Sequence, residues 1–272
     1  FILLVVIFML ASSCNDLAEP CDNIVGGLLM GNDFKSAKLE EIFEDGSISI
    51  SFLNHSGDTI KMFRQVENDS LIGYYQIDDK KEINGKHFLL DQDCRLLVSG
   101  KYRNNAKDTI FTYYYSGEKV AMKKQHYSHD TMIGHYSEHD SLGRLLYYCL
   151  FHPREKGCVY SIEYDSSGAI IDEGGVPWFV ILGGEEVTKK GEMSQNNIYI
   201  ASSPGIEVNV SVKSPSKDTA DYAFSYVSDE ILFLGIRFKV PGKFIVPLRI
   251  DIDSDFRGTE TVYKDLVFEV EE

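Results

Sequence analysis

The chain has 272 residues, of which 43% are hydrophobic and 25% charged, as in an ordinary folded globular protein. This composition excludes a disordered chain, a collagen-like chain and a multi-spanning membrane protein. Forty-two acidic residues against 27 basic ones give a formal net charge of -15, which would repel the phosphate backbone of a nucleic acid. We therefore expect no nucleic-acid partner.

An uninterrupted apolar run, FILLVVIFMLA, occupies positions 1–11 and is followed by two serines and Cys14. It is too short to span a hydrocarbon core, which takes about 20 residues, but it has the length of the apolar region of a secretory signal. Residues 10–14, LASSC, resemble the lipobox of bacterial lipoproteins. The resemblance implies that Cys14 is lipidated and that 1–14 is a signal segment.

The acidic residues that follow resemble the tether of Bacteroidetes-type surface lipoproteins, here placed at 15–33. The resemblance implies a lipid anchor in a bacterial outer membrane or at the cell surface, or otherwise a periplasmic location. Two or more acyl chains would hold the protein stably at a membrane. The alternatives are a plain secretory signal or an N-terminal anchor helix, in both of which Cys14 is unmodified.

Four other cysteines are present, an even number in a compartment that permits disulfides. Cys149 and Cys158 flank a loop-like stretch at 151–157, so we expect a disulfide that closes a hairpin between them. The alternative is that both are small buried apolar side chains.

The middle of the chain contains a weak repeat, visible as YYYSGEKVAMKK, SEHDSLGRLLYY and IEYDSSGAIID. The turn glycines Gly117, Gly143 and Gly168 recur about every 25 residues, which predicts one two-stranded hairpin per repeat. A copy at 87–97 lacks the glycine, and 46–63 reads as a further hairpin. Residues 34–44, FKSAKLEEIFE, have the apolar spacing of a short helix.

Residues 136–145 and 160–168 resemble tyrosine-aspartate (YD) repeats and are similar to MORN-like hairpin repeats of bacterial surface and antitoxin-like proteins. Tyr164 and Asp165 match the family dipeptide, whereas His139 replaces the Tyr of the preceding copy. The resemblance implies a curved antiparallel sheet that serves as a scaffold, without catalytic residues, over a domain at 34–173.

Beyond a linker at 174–177, strand patterns recur near 178–183, 196–201, 205–213, 222–228, 231–239, 243–253 and 261–270. Seven strands in about 100 residues predict an immunoglobulin-like β-sandwich at 174–272. Its last strands resemble those of bacterial Ig-like or PKD-like domains, although a Cys-Trp-Cys core is missing. The predicted fold class is therefore all-β, an antiparallel hairpin-repeat sheet followed by this sandwich.

Two groups of residues are candidate metal ligands. If 131–134 formed a turn, His126 would face His139 across a hairpin, and such a patch could hold zinc. Asp251, Asp253 and Asp255 alternate along a strand and supply oxygen ligands suited to calcium. The simpler interpretation is a polar hairpin face in the first case and a solvated strand in the second, so we expect no required cofactor.

No nucleophile elbow, phosphate loop, dinucleotide turn or zinc CxxC pair is present in the sequence, so we expect a protein that is not an enzyme. The hairpin region is rich in tyrosine, and Tyr113, Tyr115, Tyr136 and Tyr148 are candidates for an exposed surface that stacks on sugars or anchors a protein partner. Alternatively these tyrosines fill the core. The expected function is a lipid-anchored envelope protein that binds a protein or a glycan. The alternatives are an envelope hydrolase and an immunity or antitoxin-like protein.

Overall fold

The computed structural model describes residues 20–67, 71–154, 157–183, 187–213, 218–228 and 231–272. The predicted signal segment and Cys14 lie outside these residues. The described residues fall into two compact units. Unit 1 comprises the described residues up to Met132 together with His139–Gly143, and unit 2 comprises Ile133–Glu138 with Arg144–Glu272. The all-β prediction is confirmed.

Helix α1 (Pro20–Met30) and a 3-10 turn (Gly31–Asp33) precede a twelve-stranded sheet in which every strand neighbours the next one along the chain. Helix α1 lies inside the segment that the sequence assigned to the tether. The strands are β1 (Phe34–Ile42), β2 (Ile48–Asn54), β3 (Thr59–Glu67), β4 (Leu71–Ile77), β5 (Ile83–Asp91), β6 (Leu96–Arg103), β7 (Ala106–Tyr114), β8 (Ala121–Ser128), β9 (Thr131–His139), β10 (Leu145–His152), β11 (Gly157–Tyr164) and β12 (Ile170–Gly175).

The predicted hairpin repeat is confirmed. In the turn after β11, Oδ1 of Asp165 accepts the backbone N–H groups of Ser167 and Ala169, at 2.8 and 3.0 Å. Asp91 does the same in the copy that lacks a glycine, where Cys94 takes the left-handed position with φ 61°. An aspartate at the start of these turns therefore satisfies N–H groups that the tight corner exposes, with or without a glycine after it.

Two local predictions were wrong. Residues 34–44 do not form a helix: β1 is an edge strand, and pairing with β2 outweighs the weak helical spacing. Residues 131–134 are not a turn but the start of β9, so the proposed pairing of His126 with His139 is wrong. The turn is the two-residue His129–Asp130, with φ 49° and 63°, a geometry that suits a tight hairpin.

Helix α1 covers one face of the sheet in unit 1 and is fixed to it by a disulfide between Cys21 and Cys94. Next to that disulfide, the buried carboxylate of Asp22 accepts hydrogen bonds from the Tyr74 hydroxyl (2.7 Å) and from Arg64 (3.2 Å). Burial and the Asp22 carboxylate raise the pKa of Tyr74. A buried apolar cluster lies beneath the helix, with Ile50, Phe52, Met62, Phe88 and Leu90 among its members.

The C-terminal part of unit 2 is a sandwich of two four-stranded sheets, as predicted. One sheet has the order β13-β15-β18-β17 and the other β14-β20-β19-β16, with β14 parallel to β20. With β14 set aside, this is the connectivity of an immunoglobulin fold. The short β14 was not predicted. The strands are β13 (Trp178–Gly183), β14 (Val187–Lys189), β15 (Met193–Ile200), β16 (Ile206–Val212), β17 (Ala220–Ser228), β18 (Ile231–Phe238), β19 (Gly242–Ser254) and β20 (Gly258–Glu271).

Unit 2 also contains the last hairpin strands, which pack against the sandwich. Phe179 and Tyr199 of the sandwich share a buried cluster with Tyr148, Tyr160 and Ile162 of β10 and β11. A polar network lies beside this cluster. The Glu173 side chain, 1% exposed, accepts hydrogen bonds from Tyr160 (2.9 Å) and Ser254 (2.5 Å) and pairs with Arg257 (2.7 Å). Tyr148 and Tyr160 of these strands are therefore core residues, whereas Tyr147 and Phe151 of β10 are half-buried.

Candidate functional site

The face of unit 1 opposite α1 carries a row of side chains that the strand register lines up across the sheet. Ser49 of β2 pairs with Phe63 of β3, Phe63 with Tyr75 of β4, and Tyr75 with His87 of β5. His87 pairs with Gly100 of β6, and the ring of Phe111 covers that glycine. Because paired residues point to the same side, these residues form one lateral row.

Aromatic rings dominate this surface, which we call the aromatic face. Its contacts are edge-to-face or stacked, the arrangements that aromatic pairs prefer. Tyr75 stacks on His87 with ring centroids 4.6 Å apart, and Tyr102 meets His87 edge-on at 5.5 Å. Phe111 contacts Tyr102 at 5.6 Å and Tyr127 at 5.4 Å. The aromatic face comprises Phe63, Tyr75, His87, Tyr102, Phe111, Tyr113 and Tyr127.

The rings differ in exposure. His87 and Phe111 are 6% and 1% exposed, whereas Tyr75, Tyr102 and Tyr127 are half-buried and present part of their rings to solvent. The buried apolar cluster of unit 1 lies on the opposite face, under α1. Burial is the main cause that raises the pKa of Tyr127 to about 12, and the neighbouring Tyr113 is the second. The Tyr127 hydroxyl therefore stays protonated, and it donates a hydrogen bond to Gln125 at 3.0 Å. The ring of Tyr127 is therefore uncharged at physiological pH.

His87 lies at the centre of the row. Neither ring nitrogen has a hydrogen-bond partner, and burial together with the charge of Lys107 lowers the pKa of His87 to about 4. The imidazole is therefore neutral at physiological pH and acts as one more flat ring in the stack. Leaving a buried polar group without a hydrogen-bond partner costs stability.

Two lysines lie against these rings. The Lys107 ammonium is 5.2 Å from the centroids of both Phe111 and Tyr127, and that of Lys123 is 4.3 Å from the Tyr113 centroid. Such cation–π contacts hold the charges at the surface of the sheet. The described residues place no carboxylate within 4.0 Å of either ammonium group.

A pocket of about 330 Å³ lies at the β1 end of the row. This volume falls in the range of small-ligand sites. Phe43 and Phe63 form its aromatic wall, with ring centroids 5.5 Å apart. At its rim, the Lys81 ammonium lies 3.7 Å from a Glu41 carboxylate oxygen. Its lining residues are Glu41, Phe43, Ser49, Phe63, Ile77, Lys81, Ile83 and Asn105.

The four tyrosines singled out from the sequence lie in different places. Tyr113 belongs to the aromatic face, and Tyr115 lies in a turn, where its hydroxyl donates to the His139 carbonyl at 2.7 Å. Tyr136, in unit 2, contacts the rings of Tyr147 and Phe151 at 6.0 and 5.9 Å. Tyr113, Tyr115 and Tyr136 are all half-buried.

Tyr148 is 3% exposed, so it does not belong to an exposed surface. It faces the sandwich, and its hydroxyl contacts His135 Nδ1 at 2.6 Å and accepts the Ser202 N–H at 3.2 Å. The sequence marked the hairpin region as tyrosine-rich but could not assign its tyrosines to faces, because the face depends on the register and bulges of each strand pair. His87, Tyr102 and Tyr127 were missed for that reason.

The remaining candidate residues are placed as follows. The sulfurs of Cys149 and Cys158 are bonded to each other, with the two Cα atoms 5.9 Å apart. Asp251 accepts a hydrogen bond from Thr261 (2.7 Å), and Asp253 one from Thr259 (3.0 Å). Asp255 follows the end of β19. Across the described ranges, no three or more His, Cys, Asp or Glu side chains are grouped so that they could hold a metal ion.

The chain matches no protein-family model and no curated protein sequence. It is similar to a solved extracellular domain of protocadherin GammaB4 at 9% identity and a TM-score of 0.27, over 88% of this chain and 44% of that one. It is also similar to domains 4 and 5 of the S-layer protein SbsC, at 8% identity and a TM-score of 0.23, over 88% of this chain and all of that one. The chain thus spans less than half of the protocadherin structure. These TM-scores are too low to assign a fold or a function. In the part of the chain that the structure describes, no helix is long and apolar enough to cross a membrane.

Proposed function

We propose that this protein is a non-catalytic, lipid-anchored component of the bacterial cell envelope that binds a glycan on the aromatic face of unit 1. The observation that carries the proposal is the set of half-buried tyrosines on the aromatic face, which lies on the side of the sheet that the unit 1 core does not use. Flat rings with polar rims suit sugars, whose C–H faces stack on aromatic rings while their hydroxyl groups form hydrogen bonds.

The envelope location is supported by the cysteines. Two disulfides join Cys21 to Cys94 and Cys149 to Cys158, and disulfides persist in oxidising compartments such as the periplasm and the cell surface. Lipidation of Cys14, an outer-membrane or surface anchor and kinship with YD or MORN-like repeats and PKD-like domains belong to the same proposal. Intact-mass measurement of the protein purified from membranes tests the anchor, because an unmodified Cys14 would remove it.

A glycan suits this face better than a protein partner does. Protein interfaces are built around large anchors that enter pockets of the partner, whereas here the rings of Tyr102, Phe111 and Tyr127 are packed edge-on against their neighbours. Rings packed side by side in this way would contact one side of a polysaccharide chain along several sugar units. The repeat turns and the Ig-like sandwich then serve as the scaffold.

The test is a polysaccharide array probed with the detergent-solubilised full chain and with a Tyr102→Ala variant. Tyr102 belongs to the aromatic face, where its ring contacts those of Tyr75, His87 and Phe111. Tyr136→Ala, a ring of unit 2 outside the aromatic face, is the matched control. We expect binding that Tyr102→Ala abolishes and Tyr136→Ala retains. Binding that survives Tyr102→Ala, or no glycan binding by the wild type, would overturn the proposal.

A further inference from the structure

We propose that the glycan bound by the aromatic face is acidic, and that Lys107 and Lys123 pair with carboxylates carried on its sugar rings. This inference rests on the proposed function and specifies its ligand.

The aromatic face is basic, although the whole chain carries a formal charge of -15. Strand alternation and register place three lysines on it, Lys61 of β3, Lys107 of β7 and Lys123 of β8. The same alternation and register bring two acidic residues of β3–β8 to this face, Glu67 at the end of β3 and Asp91 at the end of β5, both paired with Leu71 of β4. The Oδ1 of Asp91 accepts backbone N–H groups of its own turn.

Lys107 and Lys123 are held in place rather than extended into solvent. Each ammonium lies over an aromatic ring, at 5.2 Å for Lys107 and 4.3 Å for Lys123. The cation–π contact reduces the conformational freedom that a lysine loses when it binds an anion. It also places the ammonium beside a ring on which a sugar would stack, where a carboxylate on that sugar would meet it.

The net charge does not prevent this binding. At physiological ionic strength charges more than about 8 Å apart are largely screened, so the lysines at the contact decide the local interaction. A carboxylate paired with an ammonium makes a charge-assisted hydrogen bond, about twice as strong as a neutral one.

The test compares two probes that differ only in charge, an oligogalacturonate and its fully methyl-esterified form, by isothermal titration calorimetry with the full chain in detergent. We expect the acid to bind at least about tenfold more tightly than the ester. Lys107→Gln and Lys123→Gln should each weaken binding of the acid about fivefold and binding of the ester by less, so that each variant narrows the difference between the two probes. Lys124→Gln is the matched control, since Lys124 is the next residue of β8 and lies on the opposite face.

The outcomes separate the two proposals. Equal affinity for acid and ester, with binding abolished by Tyr102→Ala, would overturn the acidic ligand and leave glycan binding standing. A loss with Lys124→Gln as large as that with Lys123→Gln would also overturn it, because the effect would then reflect the net charge of the chain. No binding of either probe would overturn the acidic ligand, whereas glycan binding by the aromatic face would still be decided by the polysaccharide array and Tyr102→Ala.

Discussion

The two units use the same kind of side chain in opposite ways. In unit 2, Tyr148, Tyr160 and Tyr164 of the hairpin strands are at most 5% exposed and pack with Phe179 and Tyr199 of the sandwich. In unit 1, α1 and its apolar cluster occupy one face, and the aromatic face keeps half-buried tyrosines. A hairpin tyrosine is therefore core where a second layer covers its side of the sheet, and stays half-buried where the core leaves that side out, as Tyr75 and Tyr102 do in unit 1 and Tyr136 and Tyr147 do in unit 2.

The largest expected effect separates the stabilities of the two units. The disulfide between Cys21 and Cys94 closes a segment of 73 residues, so replacing both with Ala should destabilise unit 1 by about 4 kcal/mol. Denaturant unfolding followed by circular dichroism should then show that unit 1 unfolds at a lower denaturant concentration than in the wild type. Trp178, the only tryptophan, lies in unit 2, so the unfolding transition seen by its fluorescence should stay at the wild-type concentration.

The matched pair is Cys149 and Cys158, whose sequence separation is 9. Replacing both with Ala should cost less, about 2.5 kcal/mol, and should move the Trp178 transition instead. Simultaneous shifts of both transitions in either variant would mean that the two units unfold together.

The second effect is a pH dependence that belongs to unit 1. The pKa of His87 is lowered in the folded state to about 4 from 6.5, so the unfolded chain binds more protons between these values. Stability should therefore fall as the pH drops from about 6.5 to 4, by up to about 3 kcal/mol. His87→Phe, which keeps a ring in the stack, should remove that part of the slope.

Burial also lowers the pKa of His126 and His139, so part of the slope should persist in the variant. The quantity that decides is the difference in slope between wild type and His87→Phe, from urea unfolding at several pH values. Identical slopes would show that His87 is protonated as easily in the folded chain as in the unfolded one.

The third effect concerns the polar network of unit 2. Glu173→Gln removes a carboxylate that Tyr160, Ser254 and Arg257 all contact, and it should cost about 2 kcal/mol because Arg257 is itself partly exposed. Asp172→Asn, at the neighbouring exposed position, is the control, and its free energy of unfolding should be within about 0.5 kcal/mol of that of the wild type. Thermal unfolding of the two variants measures the difference, and equal melting temperatures would contradict a structural role for the network.

The smallest effect on stability falls on the aromatic face itself. Tyr102→Ala should cost only about 1 kcal/mol, since half-buried cross-strand pairs contribute little each. Its effect on glycan binding should nevertheless be the largest of all these variants. A loss of several kcal/mol of stability would place Tyr102 in the core and weaken the case for a surface that serves binding.

The fold was largely predictable from the sequence, whereas the site was not. The strands of the sandwich and the hairpin turns follow from alternation and from turn residues such as Asp165, which act within a few positions of the chain. The strand β1 was not predicted because this edge strand forms by pairing with β2, and its own residues carry no strand pattern. The aromatic face depends on registers and on bulges such as the one between Ser99 and Lys101, which local patterns do not contain.

The most direct measurement is hydrogen–deuterium exchange of the full chain with and without saturating oligogalacturonate. The account predicts protection confined to β4–β8 of unit 1, around Tyr75, Tyr102 and Tyr127, and none in the sandwich. Protection centred on β10–β12 or the sandwich, with β4–β8 unchanged, would contradict the assignment of binding to the aromatic face.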